Sequence, residues 1–261
     1  MREALVLLRD TRLPHLTEVL QAYSRIAAAG PVLLAEARGR ADDAIQAYRL
    51  ATRDAVQVAL MPAAVPDGDA ESAAQYSISS FGTGWVLPGH RAHLVVVLDE
   101  SESRPAKASL QVFTRVVAAI AEASGAVGIY WGDARATHAP AFFIDLAERG
   151  DDQLMLWTGV RVASDGQDRV SLLTLGMGQL DQPDVLLTAP RRAGNDALRF
   201  LFDVLSYFVH RGGPVPEGDM VGRNARETLL VRWVASPVDP AKRVVRIDLP
   251  DVSSAGVPST H

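Results

Sequence analysis

The sequence predicts an α+β fold with mixed or antiparallel sheets and helices packed on one side, and three observations carry this. Hydrophobic residues fill 48% of 261 positions and charged residues 22%, enough apolar material for a proper core. Two pairs of extended runs are joined by short turns, Thr52-Arg53-Asp54 and Ser164-Asp165-Gly166, which read as hairpins. Each half of the chain runs roughly strand, helix, two or three strands, helix, strand.

That last feature leaves the organisation open between one α+β domain over 1–252 and two related βαββαβ-like halves, 1–124 and 125–252, in tandem or sharing a sheet. Direct similarity between the halves is poor. Length, at roughly 100–200 residues per domain, permits either arrangement. Residues 253–261 read as a flexible C-terminal tail.

Ala4 to Leu8 is a strand stopped by Arg9-Asp10-Thr11. Leu13, Leu16, Val19, Leu20, Tyr23 and Ile26 then recur at helical spacing, with Asp10 or Thr11 placed to cap the first turn and Gly30-Pro31 to end the helix. Val32 to Ala37, Ala44 to Ala51 and Ala55 to Leu60 are extended. Pro62 and Pro66 close the series, and Ala70 to Tyr76 forms a short helix before the turn-rich Ser77 to Gly89. Leu94 to Leu98 is a continuous run of the kind buried on both faces, so it belongs at the centre of a sheet. Ser103 to Pro105 opens the clearest helix, whose stripe is Leu110, Phe113, Val116, Val117 and Ile120 and whose stop is Gly125.

Beyond it, Ala126 to Trp131 is a strand and Pro140 to Glu148 a short helix. Leu154 to Val162 and Val170 to Leu175 are strands on either side of the Asp-Gly turn, and Asp184 to Thr188 is another. Asn195 is placed to cap a helix with Leu198, Leu201, Phe202, Leu205 and Phe208 on its core face, ended by Gly212-Gly213-Pro214. Thr228 to Val234 and Val244 to Leu249 are the last strands.

The 26 basic and 31 acidic side chains leave a formal charge of -5. That is the wrong sign for a surface that tracks phosphates, so nucleic acid is not an expected partner. No apolar run approaches the roughly 18 residues of a membrane span, and Ala4 to Leu8 is too short for a secretion signal, so a cytoplasmic protein without a membrane partner is expected. With no cysteine there is no thiol nucleophile and no thiolate metal site.

Chemistry is sparse. His90-x-x-His93 is the only close histidine pair, but it precedes a strand, where a spacing of three sends the side chains to opposite faces. Packing at a strand start for His93, and a turn position for His90, are the ordinary roles. Gly82-Thr83-Gly84 and Gly176-Met177-Gly178 lack the third glycine of a dinucleotide loop and the lysine of a phosphate loop. Asp67, Asp69 and Glu71 suggest the start of a calcium loop without its glycine and distal glutamate, so neither a metal nor a cofactor is expected. Trp131, Trp157 and Trp233 fall in strands and read as core. Trp85, in a glycine-rich stretch, is the one placed to meet a partner.

Six blocks carry a resemblance: Leu60 to Pro66, His90 to Val96, Val127 to Gly132, Leu175 to Leu180 with Pro183-Asp184, Glu217 to Gly222, and Val244 to Pro250. In this order they resemble a bacterial family catalogued as domain of unknown function 4261, across most of the chain. Asp181 to Asp184 and Met220 depart from its pattern, where a Gly-Pro-Glu run and a threonine are common. The resemblance implies a bacterial, cytoplasmic α+β protein and no reaction. Small families of this kind often accompany toxin or secretion loci as immunity or accessory proteins.

The function expected is a non-enzymatic protein-binding module. Its partner would be a protein such as a basic toxin, met by Trp85, Met177, Asp181, Asp184, Glu217 and Asp219 on loops. The alternative is a hydrolase or transferase with a site dispersed over loops, for which His93, Asp99 and Glu100 are the least poor candidates because they flank the ends of the strongest strand. A third reading is self-pairing through a sheet edge. The oligomeric state is left open.

Overall fold

The computed structural model describes residues 1–28, 30–36, 44–81, 83–150, 153–164, 166, 168–213, 215–222 and 227–251. Ala37, Gly82, Asp165, Pro214 and the tail expected at 253–261 lie outside these. The chain divides into two compact units, Met1–Gly159 and Val160–His261.

The first unit contains β1 (Arg2–Leu8), α1 (Leu16–Ile26), β2 (Leu33–Ala35), β3 (Ile45–Leu50), β4 (Ala55–Met61) and the short α2 (Asp69–Ala74). They are followed by β5 (Ala92–Asp99), α3 (Ala106–Ala123), β6 (Gly128–Trp131), β7 (Ala136–His138), α4 (Pro140–Arg149) and the single turn α5 (Leu154–Trp157). Its strands form one sheet in the order β2-β3-β4-β5-β1-β6-β7, antiparallel at every pairing. β1 sits between β5 and β6, so α3 crosses over one strand and lies on one face of the sheet with α1 and α4.

That face carries the core. Val6, Val56, Val58, Leu94, Val96 and Leu98 are fully buried, and Arg2, on the same face of β1, donates through Nε to Ser109 Oγ on α3 at 2.5 Å. Phe113 of α3 lies 5.2 Å from Trp131 of β6, ring centre to ring centre, as the apolar stripe of α3 requires.

β5 is central, as its sequence predicts, but it is not buried on both faces. Val95 and Val97 are half-exposed while Leu94, Val96 and Leu98 are buried. A continuous apolar run does not reveal which neighbours will cover its second face. The strand expected over Leu154 to Val162 is divided: Leu154–Trp157 makes a helical turn and extension starts at Gly159. At α1 the N-cap is His15 without a side-chain bond, and Asp10 and Thr11 lie outside the helix. Pro14 holds Leu13 out of the helical region, so the helix cannot start before Pro14.

The second unit holds β8 (Gly159–Ser164), which begins at the junction, then β9 (Arg169–Leu175), β10 (Val185–Pro190) and α6 (Gly194–Arg211). The strands β11 (Met220–Val221), β12 (Leu229–Leu230), β13 (Arg232–Ala235) and β14 (Arg243–Asp248) follow. The sheet order is β13-β14-β10-β9-β8, with β10 and β14 parallel, and β11 pairs with β12 separately. α6 packs against β10. Asn195 is inside α6 rather than its cap, and the buried stripe is Ala197, Phe200, Leu201, Val204, Leu205 and Phe208, leaving Leu198 and Phe202 half-exposed.

The division falls at 159/160 because β6 and β7 extend the first sheet instead of opening a second one at 125. The sheets also differ in strand order and in sense, so the repeated element order of the sequence does not extend to topology. Among the described residues no helix is long and apolar enough to cross a membrane.

Candidate functional site

On the face of the first sheet away from α1, α3 and α4, strand register lines side chains into rows. One row runs Ile45, Ala59, Val95, Leu5, Tyr130 across β3, β4, β5, β1 and β6. At about 4.8 Å per strand it spans roughly 19 Å. Ile45 is 41% exposed and the other four are half-exposed. The next row is Ala47, Gln57, Val97, Glu3, and the one beyond it Leu34, Arg49, Ala55, Asp99. Leu34 is 55% and Met61 45% exposed. Arg49 pairs with Glu36 at 2.5 Å, whereas Glu3 and Asp99 are exposed carboxylates with no ion pair among the described residues. The result is an open apolar surface with unpaired acids on one flank.

The fourth row is Met61, His93, Leu7, Gly128, and it is covered from His93 onward. β4 and β5 are neighbours, yet the chain between them, 62–91, travels across the sheet until α2 packs on β7. Leu7, Val65 and Ala70 form a buried cluster against Leu5, Leu87, Val127 and Tyr130. Gly128 leaves the room: a Cβ there would stand 2.6 Å from Leu87 Cδ1.

Two histidines outside this segment bind it, and a third, His90, ties its two ends together. His93 Nδ1 donates to Ala63 O at 2.9 Å. His90 Nε2 accepts from Val65 N at 2.9 Å, and its Nδ1 faces Glu71 Oε1 at 3.2 Å. His138 Nε2 donates to Leu156 O at 3.0 Å, so its Nδ1 is the acceptor of the Ser77 hydroxyl at 2.6 Å. Ser77 Oγ also accepts from Ser79 N, Ser79 Oγ accepts from Ala139 N, and Thr137 donates to Ala70 O. Burial pushes the His138 imidazole down to about 4, opposed in part by the bond to Leu156, so the ring is neutral.

The residues singled out for catalysis do not converge. His93 is near one end of β5 and Asp99 at the other, some 20 Å apart at the rise of a strand. Glu100 belongs to an ion network at the Asp99 end: it faces Arg104 Nε at 3.1 Å and Arg2 at 3.9 Å, and Arg104 also binds the fully buried Asp54. Asp54 accepts further bonds from Thr52, Ser101 N and Ser101 Oγ, tying the β3–β4 turn to the start of α3.

Of the residues singled out for partner binding, Trp85 lies in the first unit, half-buried in segment 62–91. The other five lie in the second unit. Met177 is fully buried and has no surface to offer a partner, because the turn it occupies folds inward. Asp184 Oδ1 accepts from Thr174 Oγ1 and Met177 N, both at 3.1 Å, and its burial raises its pKa above the usual carboxylate value. Asp181 is exposed, with φ +57°. Glu217 accepts from Trp233 N at 2.7 Å, which occupies an edge N–H of β13, and Asp219 pairs with Arg211. Four of these side chains are thus engaged inside their own unit.

Two features escaped the sequence reading. The open face was legible in part as the alternation within β4, where Gln57, Ala59 and Met61 share a side, but its extent depends on register with strands distant in sequence. The Ser77–His138 contact joins residues 61 apart and left no local signal. Elsewhere a groove of about 590 Å³ between α1 and α3 is lined by Arg12, Glu18, Arg25 and Glu122, of which Arg25 and Glu122 pair with each other.

No curated protein and no solved structure matches the chain significantly. A family match is found over residues 173–248, which run from within β9 to the end of β14 in the second unit. Over those residues the chain is similar to the family described as Domain of unknown function (DUF4261), and the match takes in the blocks Leu175 to Leu180 with Pro183-Asp184, Glu217 to Gly222 and most of Val244 to Pro250.

Proposed function

We propose that the protein is a non-enzymatic protein-binding module that receives its partner on the open face of the seven-stranded sheet. The observation that carries this is the half-exposed row Ile45, Ala59, Val95, Leu5, Tyr130, flanked by the unpaired carboxylates Glu3 and Asp99. Monomers seldom expose a contiguous apolar surface that no interaction uses. The partner this face fits is a protein with apolar side chains beside basic ones, which the acidic balance of the chain would steer toward it. A basic toxin has that chemistry, and the corresponding role is that of an immunity or accessory protein in a bacterial cytoplasm. The hydrolase or transferase reading has lost the pairing of His93 with Asp99 on which it leaned.

A photo-crosslinking residue placed at Val97, with one at the exposed Val162 of β8 as control, tests this in cells of the native source. The expected result is one dominant adduct with a basic protein from position 97 and none from 162. Binding of that purified protein should weaken steeply with salt and be lost in Val95→Glu. The reading fails if position 97 gives no adduct, or if Val95→Glu binds as tightly as the parent.

A further inference from the structure

The open face does not carry its charge evenly. At the β2–β3 end Ile45 and Leu34 are exposed beside Arg49, whose charge is met by Glu36. At the β1–β6 end the acids stand free. β1 runs beside β5 from Arg2 onward, whereas its pairing with β6 covers only Leu5, Val6 and Leu7. After Trp131 the chain turns away through Gly132–Ala134. Arg2, Glu3 and Ala4 therefore have a strand on one side only, and a wedge opens between them and that turn. It is a cavity of about 220 Å³ that adjoins the row at Leu5 and Tyr130 and is also lined by Glu3, Gly132 and Asp133.

We propose that this wedge is the anchor pocket of the docking face and takes an arginine side chain of the partner, its guanidinium lying against Tyr130 between the Glu3 and Asp133 carboxylates. The proposal rests on the reading of the open face given above as the partner's seat.

Charge, hydrogen bonding and size all select that side chain. Glu3 and Asp133 are exposed, and neither makes an ion pair or a side-chain hydrogen bond among the described residues. Arg2 also borders the wedge, but its guanidinium is on the other face of the sheet, with Ser109 and Glu100. Met1 stands at the rim, 86% exposed, and its amino group makes no ion pair among the described residues. Burial raises the pKa of Tyr130, and Asp69 and Arg135 act on its hydroxyl in opposite directions, so that side adds no net positive charge. The two carboxylates are thus left without a fixed counter-charge. Alternate residues of an antiparallel strand turn their N–H and C=O to opposite sides, so at least one carbonyl among Arg2, Glu3 and Ala4 faces the wedge as a further acceptor. A guanidinium has five donors and no acceptor, and it can stack on an aromatic ring while its edge pairs with a carboxylate, which an ammonium does not do. The chain makes such a contact elsewhere, with Arg243 over the Trp233 ring at 5.7 Å. The cavity is smaller than the roughly 300–1,000 Å³ of small-molecule pockets, which fits one side chain of a larger partner rather than a separate ligand.

The test titrates the isotope-labelled full chain with N-acetyl-arginine N-methylamide and, as its neutral counterpart, N-acetyl-citrulline N-methylamide, following amide shifts by NMR. Amides of Glu3, Leu5, Gly132 and Asp133 should shift saturably with the arginine compound, and the citrulline compound should bind at least about tenfold more weakly. Glu3→Gln with Asp133→Asn should weaken the arginine compound by at least about tenfold, and should weaken by as much the protein captured at position 97. Both side chains are exposed, so this variant folds as the parent does. Shifts that never saturate, that spread evenly over the exposed acids, or that citrulline reproduces overturn the pocket. If position 97 gives its adduct while the wedge ignores arginine, or while the double variant holds the captured protein as tightly as the parent, the anchor falls and the reading of the face stands. If arginine saturates the wedge while position 97 gives no adduct, the reading of the face falls and takes the anchoring role with it.

Discussion

Ser77 and His138, 61 residues apart in sequence, meet at 2.6 Å with both side chains fully buried. A serine hydroxyl on a histidine nitrogen is the start of a nucleophile and base, yet here the pair is closed off from solvent, and the ring's other nitrogen is bound to a main-chain carbonyl. Its effect is mechanical. It joins segment 62–91 to β7 on one side and α5 on the other, and the exacting geometry of a buried polar pair fixes where the segment can lie.

Acid should weaken the first unit through His138. Its folded value of about 4 is below the ordinary 6.5, so between these the unfolded chain binds more protons. The contribution is complete above about pH 6.5 and is lost as pH falls toward 4, a few kcal/mol in all. Urea midpoints at pH 7 and 4.5 should fall further for the parent than for His138→Asn. Equal falls would place the acid sensitivity elsewhere.

Asp54 behaves oppositely in origin. Burial pushes its pKa up, but the bonds from Arg104, Thr52 and Ser101 outweigh this and hold it below the usual value. Its contribution is therefore present above about pH 4 and disappears on further acidification. Asp54→Ala leaves Arg104 with Glu100 alone and removes the acceptor of Thr52 and Ser101, and should cost about 1–3 kcal/mol in denaturant unfolding at pH 7. A loss under about 1 kcal/mol would mean that the network is not coupled to folding.

At Asp184 burial dominates and the pKa is raised, so the folded state holds its proton longer than the unfolded one and stability declines as pH rises above about 4. Asp184→Asn keeps the oxygen that receives Thr174 and Met177 N, and should stay within about 1 kcal/mol of the parent at pH 7. Asp184→Ala, which leaves both donors unmatched, should lose about 1–3 kcal/mol. The two variants unfolding at the same denaturant concentration would contradict this.

Two glycines should respond differently to alanine. A Cβ at Gly159 would stand 2.2 Å from Ala134 O, a rigid main-chain atom, while at Gly128 the nearest atom is the end of the Leu87 side chain. Gly159→Ala should destabilise by several kcal/mol or prevent folding, and Gly128→Ala by about 1–3 kcal/mol as Leu87 turns aside. Thermal unfolding of both variants orders them.

Much of the local structure was legible. The 3.6-residue stripe of α3, the hairpin of β3 and β4 and the central place of β5 follow from periodicity and turn residues. The misses share a cause. Leu154 to Val162 is apolar throughout and carries no period that separates a helical turn from a strand. The stripe of α6 turned out rotated because which of several adjacent apolar residues faces inward depends on what packs there, as Ala197 and Phe200 show against Leu198 and Phe202. The catalytic choice of His93 with Asp99 failed on geometry, since residues that bracket a strand are separated by its length.

By itself the sequence determined most of the strands and helices and the buried stripe of α3, because those depend on chemistry within a few residues. Tertiary structure alone decided that β1 enters between β5 and β6, that Leu5, Val95, Ala59 and Ile45 form one row, and that His138 meets Ser77. Each of these joins positions distant in sequence, and such pairings are set by how the layers close on a shared core rather than by any local preference.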